Sequence, residues 1–146
     1  MMIDVDRFCR TLVREASDAV IYADAQGRIT FWNKGAERIF GFAEAEAIGA
    51  SLDIIIPGNL RKRHRDGYDE TMRTGKTRYG AGDLLAVPAL RKDGARISVE
   101  FTILPFHDEA GRMVGIAAIL RDVTTRFEEM KALRKELAQR QRSTGA

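Results

Sequence analysis

Residues 31–42 read FWNKGAERIFGF, and this stretch decides how the rest of the chain is interpreted. Its first residues suit the end of a strand. Asn33 is a favourable helix N-cap because its amide oxygen can accept from the first free backbone N–H groups. Gly41 then ends the helix, as glycine commonly does. The apolar residues between these two fall on one helical face: Ala36, Ile39 and Phe40. The stretch therefore predicts a strand followed directly by a short capped helix.

The segment before this stretch predicts a β-hairpin preceded by an amphipathic helix. Residues 19–23 and 28–32 are two β-rich runs, and the polar turn between them ends at Gly27. Nearer the N-terminus, three apolar residues recur at helical spacing: Val5, Phe8 and Leu12. That spacing predicts a short helix whose apolar face needs a surface to pack on.

The segment after this stretch passes from short helices to strands. A short helix is expected at residues 43–48, and a polar helix at about 59–73, after Pro57-Gly58. Strand-like runs follow at residues 79–90, which Gly80, Gly82 and Pro88 interrupt, and at residues 97–103 and 113–120; the pattern after Asp122 is helical. This order of elements predicts an α+β fold in which a single antiparallel sheet carries helices on one face.

Composition narrows the functional classes. The chain has 146 residues, 45% of them hydrophobic, which suits one domain. A single cysteine excludes a disulfide framework, and no apolar run approaches the ~20 residues of a membrane span. Residues 123–142 carry six basic and three acidic side chains, which accounts for the whole net charge of +3. The basic balance therefore comes from the tail, and we expect a soluble, cytoplasmic protein that binds neither nucleic acid nor a membrane.

Short motifs along the chain resemble those of PAS domains. They are Asp18-Ala19-Val20 leading to Asp24 and Gly27, the stretch 31–42, Glu46-Ala47-Ile48-Gly49, Ile56-Pro57, Arg91-Lys92-Asp93-Gly94 and Arg121-Asp122-Val123-Thr124. The resemblance covers roughly residues 10–126, and the order of the motifs is more specific than any one of them. It implies a PAS fold, with a five-stranded antiparallel sheet that cups a pocket against short helices and is used for sensing and dimerisation.

The same resemblance divides the chain into three parts. Residues 1–16 are expected to form an N-terminal flanking helix and residues 17–122 the PAS domain. Residues 123–146 are expected to form a C-terminal amphipathic signalling helix and tail. The tail has the spacing of a heptad seam, whose apolar residues are Val123, Phe127, Met130 and Leu137. Arg134 stands at the seam position between Met130 and Leu137, where an apolar residue would continue the pattern.

His64 is the candidate metal ligand. It belongs to a stripe that recurs every fourth position on the polar helix: Leu60, His64, Tyr68 and Met72. A neutral imidazole on such a stripe is a suitable axial ligand for heme iron. In the heme-binding PAS oxygen sensors that the chain resembles, the proximal histidine lies on this helix ten residues before a Thr-Gly pair, and His64 precedes Thr74-Gly75 by the same interval. The resemblance implies heme b on His64, and a structural histidine without heme is the alternative.

The resemblance also implies the other cofactor-binding residues. The complete predicted set is His64, Tyr68, Tyr79, Leu84, Phe101, Ile103 and Arg61. Arg61 belongs to a basic cluster that either pairs with heme propionates or is a solvated face. Leu84, aligned from His64, stands where the oxygen sensors have an arginine. The predicted distal side therefore lacks a cationic donor and favours CO or NO over dioxygen.

The sequence contains no pattern typical of an enzyme. We find no nucleophile–base constellation, phosphate-binding loop or zinc-ligand spacing, and the single cysteine, Cys9, precedes the first strand, which excludes cysteine-based photochemistry. Three functions stay open: a heme-based gas or redox sensor, a cofactor-free dimerisation or protein-interaction module, and a pocket for a small apolar or flavin ligand. We expect a homodimer that passes its state to a downstream kinase, cyclase or regulator.

Overall fold

An antiparallel sheet forms the centre of the fold. The computed structural model describes residues 2–80 and 82–145, and within these the strand order is β2-β1-β5-β4-β3. The strands are β1 Ala19–Asp24, β2 Ile29–Trp32, β3 Leu85–Leu90, β4 Arg96–His107 and β5 Met113–Asp122. All four pairings are antiparallel, which confirms the predicted α+β class and the five-stranded PAS sheet.

The helices follow the predicted order along the chain. They are α1 Val5–Glu15, α2 Lys34–Phe40, α3 Glu44–Ala47, α4 Arg61–Thr74 and α5 Thr124–Thr144. The apolar run after α3 forms a 3-10 helix, Leu52–Ile55, and a second 3-10 turn, Gly58–Leu60, leads into α4. Three residues lie outside the described part of the chain: Met1 of the predicted N-terminal segment, Ala81 of the strand-like run 79–90 and Ala146 of the tail.

A shift in the register of the first hairpin determines which of its side chains face the core. Ile21 pairs with Trp32 and Ala23 with Ile29, so one residue of β2 is unpaired between them. Ile29 and Trp32 are therefore both buried although they lie three residues apart. The indole N–H of Trp32 donates to the Phe42 carbonyl at 2.9 Å, which makes Trp32 a satisfied core residue.

Asn33 is a polar residue at the junction of three elements. Its side chain is buried, and its oxygen accepts from the backbone N–H groups of Val20 at 2.8 Å and Ala36 at 2.9 Å. Its amide donates to the carbonyls of Val13 at 2.8 Å and Asp18 at 3.1 Å. The predicted N-cap is confirmed. The links to α1 and β1 are an addition that the sequence pattern did not indicate.

The prediction that a strand begins at Tyr79 is wrong, because β3 begins only at Leu85. Asp83 closes a turn before it: its Oδ2 accepts from the Gly80 N–H at 2.7 Å, and its own N–H donates to the Gly80 carbonyl at 3.1 Å. Turn closure by an Asp side chain satisfies the backbone without a sheet partner. Pro88 is tolerated within β3 because this strand lies at the edge of the sheet.

The two flanking helices expose their apolar stripes. Neither α1 nor α5 buries a residue completely. The exposed stripes are Val5, Phe8 and Leu12 on α1, and Phe127, Met130, Leu133 and Leu137 on α5. The outer face of the sheet adds three further exposed apolar side chains, Leu104, Phe106 and Ile119. Exposed apolar surface of this kind is typical of an interaction site.

Candidate functional site

Helix α4 turns one stripe of side chains towards the rest of the protein. Leu60, His64, Tyr68 and Met72 are all half-buried, as their four-residue spacing predicted. The Tyr68 hydroxyl donates to the Asp24 carbonyl at 2.7 Å and lies 3.1 Å from the Ala23 carbonyl, so it holds α4 against the end of β1. Burial raises the pKa of Tyr68, with smaller contributions from Asp24 and Tyr22, so this hydroxyl stays protonated as a donor.

His64 lines a small polar cleft between α4, the β1–β2 turn and the first 3-10 helix. The cleft has a volume of about 150 Å³, and its polar lining includes Gln26, Ser51, Asp53, Arg65 and Tyr68. Burial lowers the pKa of His64 because desolvation disfavours the imidazolium, while the Asp53 carboxylate acts in the opposite direction. The His64 ring is therefore neutral at pH 7 and keeps a lone pair on one nitrogen.

Asp53 is a component of this cleft that the sequence analysis missed. Its Oδ2 lies 3.5 Å from Nε of Arg65, and its backbone N–H donates to Oγ of Ser51 at 3.1 Å. Within the described residues, its Oδ1 is buried and has no hydrogen-bond partner. A Ser two residues before an Asp does indicate a helix start, but no spacing in the sequence relates Asp53 to His64. That proximity arises only from packing.

Arg61 stabilises the local backbone of this region. Its Nε donates to the carbonyl oxygens of Asp53 at 3.1 Å and Ile56 at 3.0 Å. These carbonyls lie at the end of the first 3-10 helix, where the Asp53 carbonyl also accepts from the Ile56 N–H at 3.1 Å. The structure shows a guanidinium that holds this turn against α4. Its pairing with a propionate stays a prediction.

The other predicted site residues do not line the cleft with His64. Tyr79 and Leu84 lie in the segment before β3, and Leu84 is 64% exposed. Phe101 and Ile103 are half-buried on β4, where Phe101 packs against the core. Of the predicted site residues, His64 and Tyr68 line this cleft, and these four do not. The turn closed by Asp83 is the physical reason for the position of Tyr79 and Leu84.

Heme b is the cofactor that the sequence predicts, and the His64 side chain matches it in donor chemistry. A half-buried, neutral imidazole offers a lone pair to an axial position. The cleft of about 150 Å³ is smaller than the ~300–1,000 Å³ of typical ligand pockets, so a macrocycle fits only if α4 moves outward. Such a movement would break the hydrogen bonds of Tyr68 to the end of β1.

Comparisons with known proteins agree with this architecture. A family model described as the PAS fold matches residues 13–128. The crystal structure of a PAS domain from Colwellia psychrerythraea superposes with a TM-score of 0.69 at 24% identity, covering 84% of this chain and 99% of that one. No helix within residues 2–80 and 82–145 has the length and apolar character needed to cross a membrane.

Two curated relatives are sensors. The sensor protein FixL of Bradyrhizobium diazoefficiens is 35% identical over 104 residues, which are 71% of this chain and 19% of that protein. The oxygen sensor protein DosP of Escherichia coli is 27% identical over 107 residues, which are 73% of this chain and 13% of that protein. The chain thus spans a fifth or less of the length of these relatives.

Proposed function

The chain belongs to the PAS family, whose domains are sensory modules, and from this premise we propose that it senses a gas or a redox change through heme b on His64. The observation that carries the proposal is the position of the His64 ring, which is half-buried on the inward stripe of α4, and this burial lowers its pKa. The name of the Escherichia coli relative, an oxygen sensor, supports the same class of signal. Bound heme would supply an iron that can take up a diatomic gas or change its oxidation state.

The chain's own residues have separate parts in this proposal. His64 offers the lone pair, and Tyr68 couples any shift of α4 to β1 through the carbonyls of Ala23 and Asp24. Phe101 and Ile103 present apolar surface on β4. The proposed binding set is completed, on the resemblance alone, by Arg61, Tyr79 and Leu84.

The proposed route of transmission runs through the base of α5. The N–H of Val123 donates to the Ser98 carbonyl at 2.9 Å, and Oγ1 of Thr124 accepts from the Ser98 N–H at 3.0 Å. Ser98 lies on β4, so a change in that strand reaches the first residues of α5 directly. We propose that two copies pair and that their α5 helices act on a kinase, a cyclase or another regulator.

His64→Ala is expected to abolish specific heme uptake while the fold is retained. The substitution removes the proposed ligand, and the helix keeps its tie to β1 through Tyr68. The measurement is titration of the purified chain with hemin, followed by the Soret band. His107→Ala is the matched control, because it removes the other histidine, which is exposed at the end of β4. A Soret band of unchanged position and affinity in His64→Ala would exclude His64 as the ligand.

A cofactor-free interaction module is the second candidate. The cleft volume of about 150 Å³ and the exposed stripes on α1 and α5 favour it. Absence of hemin uptake by the wild-type chain, with normal folding, would select this function over the heme sensor. Uptake of flavin, detected by its visible absorbance, would instead select the third function, a pocket for a small apolar or flavin ligand.

Removal of the residues from Thr125 onward is expected to shift the protein from dimer towards monomer. Helix α5 buries none of its side chains completely, and isolated helices of this length are marginal in water. Light scattering at micromolar concentration measures the change.

Within the full chain, Met130→Glu on the apolar stripe should act like the truncation, whereas Lys131→Glu beside it should not. A truncated chain that stays dimeric would assign the main contact to α1 or the sheet.

A further inference from the structure

The Asp53 carboxylate has a charged neighbour at one oxygen and no partner among the described residues at the other. Nε of Arg65 lies 3.5 Å from Oδ2, and its N–H donates to the Arg61 carbonyl at 3.4 Å. Oδ1 is inaccessible to solvent, and no described residue donates a hydrogen bond to it. Buried carboxylate oxygens in folded proteins nearly always have a donor. This oxygen therefore lacks the donor that a buried carboxylate oxygen ordinarily has.

His64 is a donor of the cleft lining that can serve that oxygen. The Tyr68 hydroxyl donates to backbone carbonyls of β1, Arg65 already faces Oδ2, and Gln26 is exposed to water. The His64 ring is half-buried, lines the same cleft, and forms no hydrogen bond with the part of the chain that is described. Asp53 and His64 line the same cleft. A neutral imidazole has one N–H to donate.

We propose that Asp53 is a positioning residue for His64, whose ring N–H it accepts at Oδ1. The bond selects one tautomer of the imidazole and orients the ring, so that the other nitrogen always carries the lone pair. Carboxylates play this part for many metal-binding histidines. Use of the lone pair by heme iron rests on the proposed function, whereas the selection of the tautomer does not.

The tautomer can be measured in the cofactor-free full chain. At about pH 8, above the ordinary imidazole pKa of about 6.5, the ¹⁵N shifts of the two ring nitrogens distinguish one tautomer from an averaged mixture. We expect widely separated shifts for His64 in the wild type and convergent shifts in Asp53→Ala. Asp53→Asn has a single acceptor oxygen, which Arg65 attracts, so its NH₂ group faces His64 and should favour the opposite tautomer. Arg65→Ala, which removes only the partner of Oδ2, should retain the wild-type pattern.

His107 is the internal control, since its exposed ring should give the same shifts in every variant. Averaged His64 shifts in the wild type, or unchanged separation in Asp53→Ala, would overturn the proposal. If Asp53→Ala does not fold, the wild-type pattern and Asp53→Asn still decide it.

For a wild type that takes up hemin, Asp53→Ala should lower the affinity for hemin by roughly 10–100-fold. A wild type that takes up none contradicts the heme function and leaves the tautomer result standing.

Discussion

Replacing Gly35 by alanine is expected to prevent stable folding. Gly35 lies in the first turn of α2, and a Cβ on it would overlap the Asp18 carbonyl oxygen and stand 2.7 Å from that of Ala16. Both are backbone atoms, so no side-chain rotation relieves the clash. The α2 helix would have to move away from β1, and Asn33 would lose its bonds to both. We expect a loss beyond the ~1–3 kcal/mol of ordinary overpacking.

Gly67→Ala is the matched control for this prediction. Gly67 also lies inside a helix, α4, but nothing stands within 4 Å of the position of its Cβ. Alanine there should stabilise the protein by up to about 1 kcal/mol, because glycine is the poorer helix former. Urea unfolding, followed by circular dichroism, measures both variants. Equal midpoints for Gly35→Ala and the wild type would contradict the close approach of α2 to residues 16–18.

Much of the fold was predictable because its signals are local. The alternation in residues 97–103 reappears as buried Ile97 and Val99 on β4. Helix α2 begins after Asn33 and ends at Gly41, as the capping rules require. The segment before β3 was mispredicted although Gly80, Gly82 and Asp83 are poor strand formers. Its conformation follows from a hydrogen-bonded turn at Asp83.

The candidate site was predictable only along a single helix. The inward direction of His64 follows from its four-residue spacing with Leu60 and Tyr68. Its neighbours Ser51 and Asp53 come from a separate element. No periodicity connects such segments, because their contact depends on how α4 crosses the end of the sheet. Predicting the chemistry of the cleft therefore required the three-dimensional structure.

Asn33→Ala is expected to destabilise the protein by about 3–5 kcal/mol. Loss of an Asn N-cap costs ~0.5–2 kcal/mol, and each buried polar group left without a partner adds ~1–3 kcal/mol. Alanine would leave the N–H groups of Val20 and Ala36 without their acceptor. It would also leave the carbonyls of Val13 and Asp18 without this donor. The midpoint of urea unfolding measures the loss.

Asn33→Asp separates the two parts of this network, because a carboxylate accepts as the amide oxygen does but cannot donate. The bonds to Val20 and Ala36 can persist, so α2 stays capped. The bond to Val13 is lost, and a negative charge then faces carbonyl oxygens at the end of α1. We therefore expect a smaller loss of stability than in Asn33→Ala, together with faster tryptic cleavage within residues 7–14, where α1 carries three arginines. Mass spectrometry of the early fragments locates the cuts. Cleavage in this segment at the wild-type rate would mean that Asn33 does not anchor α1, and that a signal passing between α1 and the sheet must use another contact.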